Sequence, residues 1–304
     1  MSVPDLFRAL AVVTEGTSPD HRRVAASLGL PGDLDVAAHT DLFCFQLPPY
    51  AAIHLGAEGM LGGEPAERVA GFWRALGLVP PAEPDHLAAL LGLYADLLTD
   101  AEEREGDAPR RRLLGEARRA LLWEHLLPWA PTYARAAVRT AADPTYRAWA
   151  ETLESALLAE AERSPWSGGP LPLHLREAPG PALPGDDGCD AFLARVLAPA
   201  RSGMIITRRD LARAAGQLGL GLRIGERRYI LSALVAQEPA AMFAWLADEA
   251  QRSAEQLAEL QSALDPVAAF WKARAHSLES CLRQVSEAQE ESRSAATNAM
   301  VGSE

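Results

Sequence analysis

An all-α fold is the prediction for this chain, and three observations carry it. Leu, Ala, Glu and Arg dominate the 304 residues, and runs of β-branched residues are nearly absent, a composition biased toward helix. Helix-start signals recur, with proline in the first turn beside a polar cap, at Ser18-Pro19-Asp20, Glu64-Pro65 and Asp143-Pro144. Between such signals apolar residues fall at helical spacing, as in Leu87, Leu90, Leu91, Tyr94 and Leu98.

Taken in order, Ser18 caps a short helix toward Leu28. A second helix runs from about Leu34 to Leu47 and stops at Pro48-Pro49, which cannot continue it. The helix from Glu64-Pro65 presents Val69, Phe72, Trp73 and Leu76 on one face and ends at Gly77. After Pro80-Pro81, Pro84 opens the next helix. Residues 99–109 are acidic and contain Gly106 and Pro109, which reads as a solvated loop. Arg110 to Leu127 is helical and is broken by Pro128; Asp143-Pro144 then caps a helix reaching about Arg163.

From Ser164 to Gly188 the character changes. Six prolines and five glycines in this stretch are too many for the interior of any element, so it reads as a surface strap or linker. Beyond it Thr207-Arg-Arg-Asp210 fits a capping box, a second helix follows a glycine-rich turn, and Pro239 and Asp265-Pro266 start two more. From Glu287 the chain is rich in Ser, Glu, Gln and Ala, a composition that predicts disorder. The expected organisation is a helical domain at 1–165, a Pro/Gly-rich linker or strap at 166–188, a helical extension at 189–286 and a tail at 287–304.

Composition narrows the function. A formal charge of −12 and a pI near 5.1 argue against nonspecific binding to phosphate backbones and favour a basic partner. Lys272 is the only lysine and follows no glycine-rich loop, which excludes a P-loop and a Schiff-base lysine elsewhere. Cys44, Cys189 and Cys281 are isolated, with neither a disulfide framework nor zinc-ligand spacing. There is no basic leader and no apolar run of about 18 residues, so the expectation is a cytoplasmic protein without a membrane span. No esterase elbow, zinc helix or dinucleotide loop is present: Gly219-x-Gly221-x-x-x-Gly225 has the wrong spacing, and Glu102, Glu103, Glu105 and Asp107 lack the alternating ligands of a calcium loop. Neither an enzyme, nor a cofactor, nor a metal site is expected.

Two proline corners hold the chemistry that remains. Glu83-Pro84-Asp85-His86 places two carboxylates and an imidazole at a helix start. About forty residues on, His125-Leu-Leu-Pro128-Trp129-Ala-Pro131-Thr-Tyr133 places an imidazole and aromatic rings around a helix break. Read as residues alone, the first is helix-start chemistry, with carboxylates at the positive end of the helix, and the second is core packing. Together, with Tyr50-Ala-Ala-Ile-His-Leu-Gly56 upstream, they resemble the TorD/DmsD/NarJ family of maturation chaperones for molybdenum-containing redox enzymes. The likeness covers about residues 35–165; the Glu-Pro-Asp-His turn is one residue shorter than the usual pattern, and Ala57 stands where proline is common.

The resemblance implies a cytoplasmic chaperone that binds the twin-arginine signal peptide or the apo-form of a molybdopterin-containing oxidoreductase and assists cofactor insertion, assembly and export proofreading. It further implies a monomer or a domain-swapped dimer. It assigns client contact to Glu83, Pro84, Asp85, His86, Leu87, Leu91, Tyr94, His125, Trp129 and Tyr133. Carboxylates would meet the peptide's arginines and the apolar residues would line a groove. The alternative is a nucleic-acid-binding regulator using residues 201–228, where seven arginines face only Asp210 and Glu226, a local +5.

Overall fold

The structure, a computed structural model, describes residues 1–103, 108–185 and 188–301, and the side chains of these except at 101–103 and 296–301. Glu105 and Asp107 of the acidic cluster lie outside the described residues, as do the side chains of Glu102 and Glu103. Among the described residues the fold is all-α, and extended pairing is confined to a single bridge, between Tyr50 and His86. The chain divides into two compact units: unit 1 comprises 1–178 with 261–267, and unit 2 comprises 179–260 with 268–304.

Unit 1 begins with α1 (Val3–Glu15) and α2 (Pro19–Ala26), each capped by a serine side chain, Ser2 and Ser18. Next come α3 (Val36–His39), running into a π-helical turn at Thr40–Gln46, then α4 (Ala51–Leu55) and α5 (Gly63–Ala75). The central helix α6 (Leu87–Glu103) packs along α1, with Phe7 and Tyr94 edge to face at 5.0 Å. Helix α7 (Ala108–Ala120) continues as a second π-helical turn at Leu121–Leu126, and α8 (Ala130–Thr140) packs on α9 (Pro144–Arg163). The short α10 (Leu173–Glu177) closes the run, and α16 (Gln261–Leu264) returns to pack on α9.

The core of unit 1 is built from large rings whose polar atoms are satisfied internally. Trp149 is fully buried, and its indole N–H donates to the Leu10 carbonyl at 3.0 Å. The Tyr94 hydroxyl donates to buried Glu160 at 2.6 Å. A buried ring that keeps its hydrogen bond contributes its apolar area without the penalty of an unpaired donor.

Three boundaries differ from the sequence reading. Helix α6 extends through Glu103 and α7 begins at Ala108, so the expected loop at 99–109 shrinks; Asp100-Ala-Glu-Glu consists mostly of residues that continue a helix readily. Helix α6 starts at Leu87 rather than at Pro84, because the Asp85 carbonyl and the Leu87 N–H are spent on pairing with Ala51 and Pro49. The strap is not featureless, since it contains α10, with His174 and Leu175 buried.

Unit 2 holds α11 (Gly188–Val196), α12 (Pro199–Ser202), α13 (Arg208–Leu218), α14 (Arg227–Gln237), α15 (Pro239–Ala258) and most of α17 (Val267–Val301). Its core joins Phe192, Leu211, Leu231, Leu234, Met242, Leu246 and Leu282. Gly203 lies in the left-handed region at φ 75°, and a Cβ there would meet the Ala275 backbone nitrogen at 2.2 Å, so glycine is required for α12 to end against α17. Helix α17 continues through the stretch whose composition predicts disorder; its residues 287–295 are exposed, and Arg293 pairs with Glu238 at 3.3 Å.

The basic segment of unit 2 is partly consumed inside it. Arg213 bonds Glu249 at 2.6 Å and Asp210 at 3.0 Å and lies over the Trp245 ring, while Arg227 donates to the Ile206 carbonyl at 2.9 Å. The expected capping box at Thr207 and Asp210 is present and buried. Thr207→Val keeps the volume and removes the cap, so the opening free energy of α13 amides in hydrogen exchange should fall by about 1–2 kcal/mol. Unchanged protection would show that the cap contributes nothing.

Candidate functional site

The Glu83-Pro84-Asp85-His86 corner is tied to the Pro48-Pro49 segment through Asp85. The Leu87 N–H donates to the Pro49 carbonyl at 2.8 Å, the Ala51 N–H to the Asp85 carbonyl at 3.0 Å, and the Ala52 N–H to the Asp85 carboxylate at 2.9 Å. Tyr50 stands at the N-cap of α4 and offers no side-chain cap, so the carboxylate from thirty-three residues away does the capping. Asp85 is 4% exposed; burial pushes its pKa up, and the hydrogen bond from Ala52 opposes that rise. The sequence reading assigned Asp85 to the client, whereas here its carboxylate is engaged inside the protein.

His86 caps the next helix. Its Nδ1 accepts from the Ala88 N–H at 3.2 Å, which requires the neutral ring, and burial lowers its pKa accordingly, against the pull of Glu83, Glu15 and Asp85. The Tyr50 ring meets His86 edge-on at 4.8 Å. Burial, then a hydrogen bond to Glu83 and its charge, push the Tyr50 hydroxyl up to about 12. Pro84 is half-buried and Glu83 is exposed.

These residues open onto a cleft of about 740 Å³. Glu83 and His86 line it from the corner, Glu15 from α1, Phe43 and Cys44 from the first π-helical turn, Trp73 from α5, and Asp96 from α6. Three carboxylates therefore line a cleft whose described lining holds aromatic rings and imidazoles but neither arginine nor lysine, and of the three Asp96 is already paired with Arg8 at 3.0 Å. Glu15, His39, Trp73 and Asp96 carry no signal in the sequence that marks them for a site. They reach the cleft from separate helices, and no local spacing links them.

The second motif lies in the core. Leu87, Leu91, Tyr94, Trp129 and Tyr133 are fully buried, so none of the five presents a surface in this conformation. Trp129 donates to the His125 carbonyl at 2.9 Å and Tyr133 to the Leu47 carbonyl at 3.0 Å. His54 stacks flat on Trp129, with centroids 5.0 Å apart, and its Nε2 sits 3.3 Å from the Pro48 carbonyl. His125 packs against Phe72 and against His174 of α10, 5.9 Å away between ring centroids. Burial first and the neighbouring His174 second push His125 down to about 3; burial and then Arg68 push His174 down to about 4, with Glu177 opposing.

Residues 35–135 match the nitrate reductase delta subunit family. The chaperone protein TorD of Vibrio vulnificus is 34% identical over 95 residues, 29% of this chain and 43% of that protein. TorD of Photobacterium profundum is 31% identical over 91 residues, 29% of this chain and 42% of its own length. Through this segment the chain is similar to TorD chaperones and to the nitrate reductase delta subunit family. The match spans about two-fifths of the length of these curated relatives. Both proline corners fall inside the TorD-like segment, and so does most of the cleft lining; Glu15 of α1 lies outside it. Among the described residues no cluster of three or more His, Cys, Asp or Glu side chains could hold a metal, and no helix is long and apolar enough to cross a membrane.

Two outcomes test this geometry. Asp85→Ala leaves the buried Ala52 N–H without its acceptor and should cost about 1–3 kcal/mol in urea unfolding, with Asp85→Asn recovering most of the loss because an acceptor oxygen remains. Full stability of Asp85→Ala would remove the capping role. The two histidines set a pH dependence. Their folded pKa values lie below the unfolded value of 6.5, so the unfolded chain takes up protons that the folded one refuses as pH falls from about 6.5 toward 4. Stability is complete above that window and declines within it by up to about 1.4 kcal/mol per pH unit for each histidine. His174→Gln should flatten the profile, and an unchanged slope would show that His174 is protonated at no cost.

Proposed function

We propose that the TorD-like segment is a maturation chaperone domain for a molybdopterin-containing oxidoreductase, and that its cleft receives a basic segment of the client, such as a twin-arginine signal peptide. The client is held until cofactor insertion and assembly are complete. The observation that carries this reading is the charge of the cleft: Glu15, Glu83 and Asp96 line it together with Trp73, Phe43 and Tyr50, and no described lining residue is a permanent cation. Guanidinium groups suit such a surface, since they form charge-assisted bonds with carboxylates and stack on aromatic faces.

The roles within the motif then divide. Glu83 is the exposed carboxylate and meets the client directly, while neutral His86, with Nδ1 occupied by Ala88, keeps its Nε2–H as a donor to a peptide carbonyl. Asp85 ties its own corner to residues 51–52 from inside. Leu87, Leu91, Tyr94, Trp129 and Tyr133 set the shape of the floor, and a client would reach them only if unit 1 opened. No catalytic step is assigned to the site.

A fluorescein-labelled twin-arginine peptide, titrated against the full chain, tests the reading by anisotropy. Glu83→Gln should weaken binding about three- to tenfold, the size expected for one half-solvated charge pair, and the combination with Glu15→Gln and Asp96→Asn should weaken it further. Equal affinity in the triple variant, with helicity unchanged, would take the cleft out of client binding.

A further inference from the structure

Residues 164–178 of unit 1 lie along the helix that carries His125, and their contacts form an ordered series. The Ser164 carbonyl accepts from the Trp123 indole N–H at 2.7 Å, and the Pro165 carbonyl accepts from Arg119, one helical turn away. Trp166 packs edge-on against Trp123, with centroids 5.1 Å apart. After an exposed stretch at 167–170 the segment returns. The Leu173 N–H donates to the Glu124 carboxylate at 3.1 Å, His174 meets His125, and Glu177 pairs with Arg68.

A surface that reads a peptide uses the same devices: donors for main-chain carbonyls, an acceptor for a main-chain N–H, and a ring for an aromatic side chain. Main-chain recognition depends little on sequence, so this seat is not dedicated to residues 164–178. The segment also leaves the seat incompletely satisfied. His125 is 8% exposed, and its Nδ1 is buried with no hydrogen-bond partner. A buried polar atom without a partner costs free energy that a better-matched occupant would recover.

We infer that the face formed by Arg119, Trp123, Glu124 and His125 is a second peptide-docking surface, that residues 164–178 are its resident occupant, and that a segment of another polypeptide bearing an aromatic residue, extended at that residue and turning into a helix beyond it, is what replaces them. An incoming main-chain or side-chain group, acceptor or donor according to the ring tautomer, would satisfy His125 Nδ1, which the resident segment does not. That the incoming polypeptide is the chaperone's client rests on the function proposed above; the docking surface itself does not.

The probe is a synthetic peptide with the sequence of residues 163–177, titrated calorimetrically against the full chain. Trp166→Ala with Leu173→Pro weakens the resident segment without touching the seat, because it removes one ring and one N–H at the first turn of α10. An occupant that fills the seat nine-tenths of the time raises the apparent Kd about tenfold, so the variant should bind the peptide at least about tenfold more tightly than the unaltered chain. Adding Trp123→Phe should reverse much of that gain. No binding by either protein, or equal binding by both, would overturn the proposal. Should the double variant misfold, Trp123→Phe in the otherwise unaltered chain supplies the second measurement. It must speed amide exchange across residues 164–178 relative to α9, and unchanged exchange would equally overturn it. A failure here leaves the acidic cleft untouched, and a failure of the twin-arginine peptide to bind leaves this seat untouched.

Discussion

The hydrogen bond from the Ala52 N–H to the buried Asp85 carboxylate is the constraint on which the site depends. It joins two chain segments that proline has already stiffened, Pro48-Pro49 and Pro84, and it supplies α4 with the cap its own N-terminus lacks. Once α4 is set, His54 stacks on Trp129 and approaches the Pro48 carbonyl, and Tyr133 reaches back to Leu47. The contacts close a ring, from residues 47–50 through α4 to α8 and back to Leu47. In such a ring each bond is held by the geometry of the others, so Glu83 and His86 are presented at the cleft from a fixed backbone rather than from a free loop.

Both π-helical turns serve that ring. Each ends just before a proline corner, with Leu47 bonding back to Leu42 at 2.7 Å and Leu127 to Leu122 at 2.8 Å, five residues in each case. A wider turn inserts one residue into the helical register and re-aims the residues after it. The first leads into Pro48-Pro49 and the carbonyls that Tyr133 and His54 approach; the second leads into Pro128 and the ring of Trp129. The insertions place irregular backbone where the two corners must meet and leave the long helices regular elsewhere.

Fold class and punctuation were legible because periodicity and proline act locally: the caps at Ser18, Asp143 and Thr207 all stand where the sequence puts them. The π-helical turns were not legible, since one extra residue shifts the apolar pattern by less than the pattern's own scatter. The sequence marks the motif residues without fixing their orientation. A stripe such as Leu87, Leu91 and Tyr94 marks a buried face without saying whether it meets a core or lines a groove, and here it meets the core. Glu15 and Asp96 share the cleft from α1 and α6, eighty-one residues apart in the chain, and only the packing of those helices brings them together. His174 lies in a proline- and glycine-rich stretch with no period to mark it, yet it faces His125.

Unit 1 therefore carries two surfaces of different electrostatic character. The cleft keeps its carboxylates at a wet margin, where a charge survives without full desolvation and can select an arginine by sign. The seat under residues 164–178 keeps two histidines buried and neutral, and its charged groups, Arg119 and Glu124, meet a main-chain carbonyl and a main-chain N–H rather than a side chain of opposite sign. A signal-peptide-like segment has both characters in sequence, a cationic start followed by apolar residues. Burying carboxylates under the apolar part would cost more than their attraction to arginine returns, and neutral histidines at the cationic part would select nothing. Dividing the two tasks between two surfaces avoids both penalties, and the cap from Asp85 keeps the acidic corner rigid while residues 164–178 remain the exchangeable part.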